Sequence, residues 1–168
     1  MADAPEVLEL RQTNREFLDP WEPLRTESFY TLEMQASQIE VAAKHWTEGV
    51  GYGFGIFLPK SGEIVGRVAL ANIVRGAWQN ATMGYFVAQS VNGQGIATEA
   101  VRLCVGYAFE HANLHRVQAS VIPRNKPSIR VLEKAGFRHE GFAPRFLNIN
   151  GVWEDHEQYA VTIEEWQP

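Results

Sequence analysis

Two stretches of this chain carry the residue types from which a binding or catalytic site is built. The first is YFVAQSVNGQGIATEAV, residues 85–101. An apolar strand ends near Ala88, a polar loop holds Gly93 and Gly95, and a helix begins at about Ile96. A helix N-terminus offers unpaired N–H groups and the positive end of the macrodipole. Glycine lets the backbone approach a ligand with no Cβ in the way. Asn92, Gly93, Gln94, Gly95, Ile96, Ala97 and Thr98 therefore form a cradle suited to a phosphate or pyrophosphate. The second stretch is PRNKPS, residues 123–128, where the strand RVQASVI runs into a short helix. Ser128 there is either a hydroxyl for proton chemistry or a helix cap. Asn125 is either a ligand contact or a cap, and Arg124, Lys126 and Arg130 could add positive charge for an anion.

The glycine loop has several readings besides a plain turn. A Walker loop needs Lys-Ser/Thr after its last glycine, and Gly95 is followed by Ile96 and Ala97. The dinucleotide fingerprint GxGxxG fails at its last position, Thr98, and no βαβ unit with a downstream acid fits. Metal chemistry is not expected. His111 and His115 stand four apart, but a helix end falls between them and no HExxH or Cys partner exists. The single cysteine, Cys104, excludes an intramolecular disulfide and reads as an inert thiol on an apolar helix face.

The elements that position these residues follow from periodicity and punctuation. Residues 4–15 read as a helix with Asp3 as its N-cap. FLDPWEP is an irregular loop, and 28–47 a helix with Leu32, Ala36, Ile39 and Ala43 on one apolar face. A hairpin, YGFGIFLP to IVGRVALANI, and a strand, TMGYFVA, follow. A helix over 95–111 buries Val101, Cys104, Val105, Ala108 and Phe109, and 116–122 is a strand. PSIRVLEKAG is a helix ended by Gly136, and strands 145–149 and 152–161 flank the Asn150-Gly151 turn. The order ααβββαβαββ predicts an α/β or α+β domain, helices on a largely antiparallel sheet.

At 168 residues, with 45% hydrophobic and 21% charged, the chain predicts a single domain over 1–168. A net charge of −5 argues against a clamp for bulk nucleic acid. No run approaches the roughly 18 apolar residues of a membrane span. MADAPEVLEL has no basic stretch before an apolar run, so a cytoplasmic location is expected.

The six residues Asn92–Ala97 resemble the acyl-CoA pyrophosphate loop, [Q/R]-x-x-G-x-[G/A], of the GNAT superfamily of N-acetyltransferases. Asn125, Ser128, Leu132, Gly136 and Phe137 resemble its second pattern, N-x-x-[A/S]-x-x-x-[Y/L]-x-x-x-G-F. FLDPWEP, IVRG at 73–76, LHRV at 114–117, EGF at 140–142 and NGVWEDH are similar to the RimJ/RimL branch, its RimJ side most, over residues 8–166. The resemblance implies the GNAT fold, acetyl-CoA as the acyl donor, no metal, and direct transfer to a primary amine. In this branch the acceptor is a protein or peptide N-terminus, ribosomal proteins among them. The family also begins with a strand before its first helix. Here that strand is expected to be missing or very short, leaving an edge bare or covered by a partner chain.

The resemblance implies roles as well. A backbone N–H of Phe86 or Val87 polarises the thioester carbonyl, Asn125 contacts the cofactor, and Ser128 protonates the leaving thiolate, because Leu132 stands where many members carry a tyrosine. The base does not transfer: its two family positions hold Thr82 and Leu147. Glu140 is the candidate taken here, with Asp155 and Glu33 behind it. An α-amine of pKa about 8 could also lose its proton to water. Trp21, Glu22 and Tyr85 are candidate acceptor contacts, Glu22 and Glu27 as attractors of a cationic amine, while Trp46 reads as packing. Two rival functions fit: transfer to a small amine (antibiotic, polyamine or amino acid), and a catalytically silent acyl-CoA-binding module. A monomer or homodimer is expected, with no nucleic-acid or membrane partner.

Overall fold

The computed structural model describes residues 3–167. Helices come first: α1 spans Ala4–Thr13, α2 Arg15–Leu18 and α3 Leu32–Glu48. The helix expected over 4–15 breaks at Asn14. Its side-chain amide donates to Leu10 O at 2.9 Å, while its Oδ1 accepts from Gln89 N–H at 2.8 Å. An asparagine that bonds the backbone in this way competes with the helical ladder. Asp3 makes no side-chain cap bond. In the second helical stretch Glu27–Tyr30 is a 3-10 turn, and α3 proper is capped by Thr31, which accepts from Met34 N–H at 3.3 Å. Gly49 ends it at φ 69°. The expected apolar face of α3 is not sealed: Gln35 is its one buried residue.

There follow β1 (Tyr52–Phe57), β2 (Ile64–Val74), β3 (Asn80–Val87), α4 (Ile96–Glu110), β4 (Arg116–Val121), α5 (Lys126–Lys134), β5 (Arg138–Ile149) and β6 (Val152–Thr162). The sheet order is β1-β2-β3-β4-β6-β5, with every pairing antiparallel except β3–β4. This is the mixed, largely antiparallel architecture expected, and the described residues before α1 hold no strand. A parallel β3–α4–β4 crossover is present after all. β5 is 12 residues long where 145–149 was expected. Register shifts between His139/Gly141 and Ala143/Leu147 break the alternation that would have revealed its first half. Asn150 and Gly151 both take positive φ, as a type I′ hairpin requires.

The helix α4 buries the stripe its spacing predicts: Val101, Cys104, Val105 and Ala108 are at most 2% exposed. Successive strand residues face opposite sides of the sheet. Phe86 faces α1, where the Arg11 guanidinium lies 3.8 Å from its ring centre. Tyr85 faces α5, its hydroxyl 3.1 Å from Ser128 O. Helix α3 packs on α1 and α4 on α5, so the helices cover the two faces in pairs. Strands β3 and β4 pair only from Asn80↔Arg116 to Thr82↔Gln118. Beyond Thr82 they part, while β4 stays paired with β6 along its whole length. That parting opens the sheet.

Candidate functional site

A cleft of about 560 Å³ occupies the gap between β3 and β4. The N-terminal ends of α4 and α5 lie on one side of it, and the turn after α2 on the other. Asn92, Gly93, Gly95, Ile96, Ala97 and Thr98 line it as the sequence predicts. Gln94 does not: its side chain folds back to Ser90 O at 3.2 Å. Gly93 and Gly95 take φ of 75° and 84°, and nothing lies within 4 Å of where a Cβ would project from either. The space beside the loop is thus open to a ligand. Glu99 N–H bonds Gly95 O at 3.0 Å. Helix geometry leaves the amides of Ile96, Ala97 and Thr98 without partners inside α4. Arg130 and Lys134, one turn apart on α5, line the same side. Glycine backbone, helix dipole and two cations fit a pyrophosphate-bearing acyl-CoA.

Not every basic residue joins them. Arg124 pairs with Glu154 at 2.8 Å and sits 5.5 Å from the Trp21 ring centre. Its charge is thus matched by Glu154, and it does not line the cleft.

The backbone of β3 sorts the two strand candidates. Ala88 N–H bonds Val65 O at 2.7 Å, which sets the phase of the β2–β3 ladder. Phe86, opposite Arg67, turns its N–H and C=O toward β2. Tyr85 and Val87 turn theirs toward the gap. Val87 is therefore placed for main-chain contact with a ligand, whereas Phe86 supplies its ring to the wall and to Arg11.

Asn125 is the cap of α5: its Oδ1 accepts from Ser128 N–H at 3.2 Å. Ser128 is therefore not the cap, and its hydroxyl is 2.8 Å from the Tyr85 hydroxyl. The phenol has one hydrogen to give, either to Ser128 Oγ or to Ser128 O at 3.1 Å. Burial pushes the Tyr85 phenol up to about 12, against a smaller lowering by the Ser128 hydrogen bond, so it stays protonated. A phenol from β3 thus stands beside the Ser128 hydroxyl, where α5 itself offers Leu132. Leu132 itself is core, 1% exposed.

Glu140 is not in the cleft. It pairs with Arg116 and, at 2.7 Å, with Arg138. Arg116 starts β4, roughly 17 Å along the strand from Val121 at the gap. The Arg116 hydrogen bond, then its charge and that of Arg138, hold the Glu140 carboxyl below the usual range, with burial opposing. A base needs the opposite. The other two candidates fare no better: Asp155 accepts from Arg145 N–H at 2.8 Å, and neither Asp155 nor Glu33 lines the cleft.

Trp21 and Glu22 do line it. Glu22 takes two hydrogen bonds from Arg11 Nη1, at 2.7 and 2.9 Å, so its charge is already matched. Glu27 is matched by Arg15 at 2.6 Å. The sequence reading passed over His156, isolated in sequence, which is 2% exposed and lines the cleft. No signal in the sequence marks it, because the β4–β6 register that pairs Gln158 with Ser120 is what carries it there.

Burial pushes the Cys104 thiol up to about 12, which leaves it unreactive. Among the described residues no three His, Cys, Asp or Glu side chains gather as metal ligands. No helix among them is long and apolar enough to cross a membrane. A second cavity, about 450 Å³ between α1, α3 and β1–β2, meets the cleft only at Phe86 and touches neither loop.

Comparison with known proteins bears on this geometry. The profile of the family described as "Acetyltransferase (GNAT) domain" matches residues 1–138. The chain is 46% identical over 161 residues to a probable N-acetyltransferase, YjcK, of Bacillus subtilis, covering 96% of this chain and 89% of that protein. The crystal structure of the ribosomal-protein-S5-alanine acetyltransferase of Vibrio fischeri superposes with a TM-score of 0.93 at 33% identity, over 99% of this chain and 91% of that one. RimJ of Mycobacterium smegmatis, solved in complex with CoA-disulfide, gives a TM-score of 0.92 at 35% identity, over 98% and 79%.

Proposed function

Because the chain belongs to the GNAT acetyltransferase family and is an N-acetyltransferase, we propose that it moves the acetyl group of acetyl-CoA to the α-amine of a protein or peptide N-terminus. The observation that carries this reading is a cleft open to both faces of the sheet with no unmatched carboxylate lining it. A polyamine needs free negative charge. Glu22, the single carboxylate among the lining residues, is held by Arg11. That favours a singly charged amine on an extended chain. The neighbours named as ribosomal-protein acetyltransferases make a ribosomal protein the first acceptor to try. In this reading one domain over 1–168 works in the cytoplasm.

The residues then divide the work. The amides of Ile96–Thr98, with Arg130 and Lys134, hold the phosphates. Val87 N–H, facing the gap, donates to the thioester oxygen as charge builds there. Ser128 gives a proton to the sulfur as the C–S bond breaks, and Tyr85 behind it orients and replenishes that hydroxyl. Trp21 lines the acceptor side. The test is transfer from acetyl-CoA to peptides copying ribosomal-protein N-termini, beside spermidine and free amino acids. Transfer to peptide amines supports the reading. Transfer confined to small amines, or binding of acetyl-CoA with no transfer, overturns it.

A further inference from the structure

Five titratable side chains line the cleft: Glu22, Tyr85, Arg130, Lys134 and His156. Arg130 and Lys134 are donors with no acceptor to offer. The Tyr85 phenol stays protonated. Both Glu22 oxygens are taken by Arg11. His156 remains.

Its geometry suits a proton acceptor. Nδ1 lies 3.0 Å from the Glu154 carbonyl oxygen. A carbonyl only accepts, so Nδ1 carries the hydrogen, and the neutral ring keeps a bare lone pair on Nε2. The Phe146 ring stands edge-on to it, centroids 5.7 Å apart. Gln158 opposes Ser120 in the unbroken β4–β6 register, and Gln118 opposes Thr82 in β3–β4. By alternation His156 shares a face with Ser120, Thr82 and Phe86, the face that α1 covers. Tyr85 and Ser128 stand on the other.

We propose that His156 is the general base of the transfer: Nε2 takes one proton from the acceptor ammonium and passes it to solvent. This rests on the function proposed above. The free amine nitrogen then forms the C–N bond as the C–S bond breaks. The second amine proton, shed on attack, balances the one the thiolate takes up, so one ammonium and one thioester give one amide, one thiol and one released proton. Charged groups on the surrounding elements include Arg11, Glu22, Arg124, Arg145, Glu154, Asp155 and Glu157. Glu22, Arg124 and Glu154 are paired as described, Asp155 is bound to Arg145 N–H, and Glu157 pairs with His139 at 2.5 Å.

His156→Asn tests it, because the Asn amide can keep the bond to Glu154 O while removing the acceptor. The expected result is a fall of about 10²-fold in kcat for peptide acetylation. The calorimetric acetyl-CoA affinity stays unchanged, and the acid limb of kcat moves toward the amine's own pKa. A second measurement needs no variant. In the wild type the acid limb of kcat keeps its position for two peptides whose amine pKa values differ. An acid limb that tracks the acceptor's pKa, or a variant with wild-type kcat and profile, overturns the assignment while transfer itself survives. A wild type that acetylates no peptide instead overturns the function on which it rests.

Discussion

The hydroxyls of Tyr85 and Ser128, 43 residues apart in sequence, lie 2.8 Å from one another at the mouth of the parted strands. One comes from β3 and the other from the first turn of α5, on the side where the Gly93–Gly95 loop lies. The pair forms a hydrogen-bonded hydroxyl couple that neither element contains alone.

If the two act as a unit, their deletions will not add. Ser128→Ala is expected to lower kcat by about 10²-fold. Tyr85→Phe, which removes only the oxygen, is expected to cost about tenfold. The double variant should match Ser128→Ala within a factor of about three. Steady-state kinetics with calorimetric acetyl-CoA affinities check this, and the affinities should change little. Fully multiplicative losses would separate the two roles.

The loop makes a sharper demand. Gly95 sits at φ 84° with open space beside it. Gly95→Val places a branched side chain where the ligand phosphates are expected, in a conformation that costs a side chain about 1–2 kcal/mol. Calorimetry should show no measurable CoA binding, with far-UV circular dichroism intact. Retained affinity would remove the loop from the phosphate site.

Arg130 and Lys134 line the same cleft from α5. Replacing both with Ala should weaken CoA binding by about tenfold at low salt, and the difference should narrow as ionic strength rises. Titrations at two salt concentrations decide it. A salt-independent loss would point to altered packing of α5.

Asn14 ties the α1–α2 joint to the loop through Gln89 N–H. Asn14→Leu fills the same volume but removes the side-chain partner of that part-buried amide, at a cost of about 1 kcal/mol. Denaturant unfolding should register the loss, and KM for acetyl-CoA should rise because the start of the loop is no longer held.

Glu140 belongs to stability. Its folded-state pKa lies below its ordinary value of 4.5, so its pairing contributes fully above that value and is lost as pH falls through the folded pKa. Glu140→Gln should lower stability by less than about 1 kcal/mol near neutral pH. The difference in Tm from wild type should close as the solution is acidified below 4.5, and kcat should not move.

Local interactions already determine much of this protein. Glycines before a helix, a proline and an asparagine at a helix start, the buried stripe of α4 and the Asn150-Gly151 turn involve residues within a few positions of one another. Their chemistry is therefore legible in order along the chain, and so are the two helix starts that line the cleft. Where long-range pairing decides, the chain order is silent. It made Glu140 a free carboxylate, whereas Arg116, 24 residues earlier, holds it at the wrong end of β4. It made Phe86 and Val87 equal candidates, whereas the phase of the β2–β3 ladder turns one toward β2 and the other toward the gap. It left His156 alone, whereas the β4–β6 register carries it to the cleft. Register and the parting of β3 from β4 arise from contacts between distant segments, and these place the Tyr85–Ser128 hydroxyl pair on one face of the opening and His156 on the other.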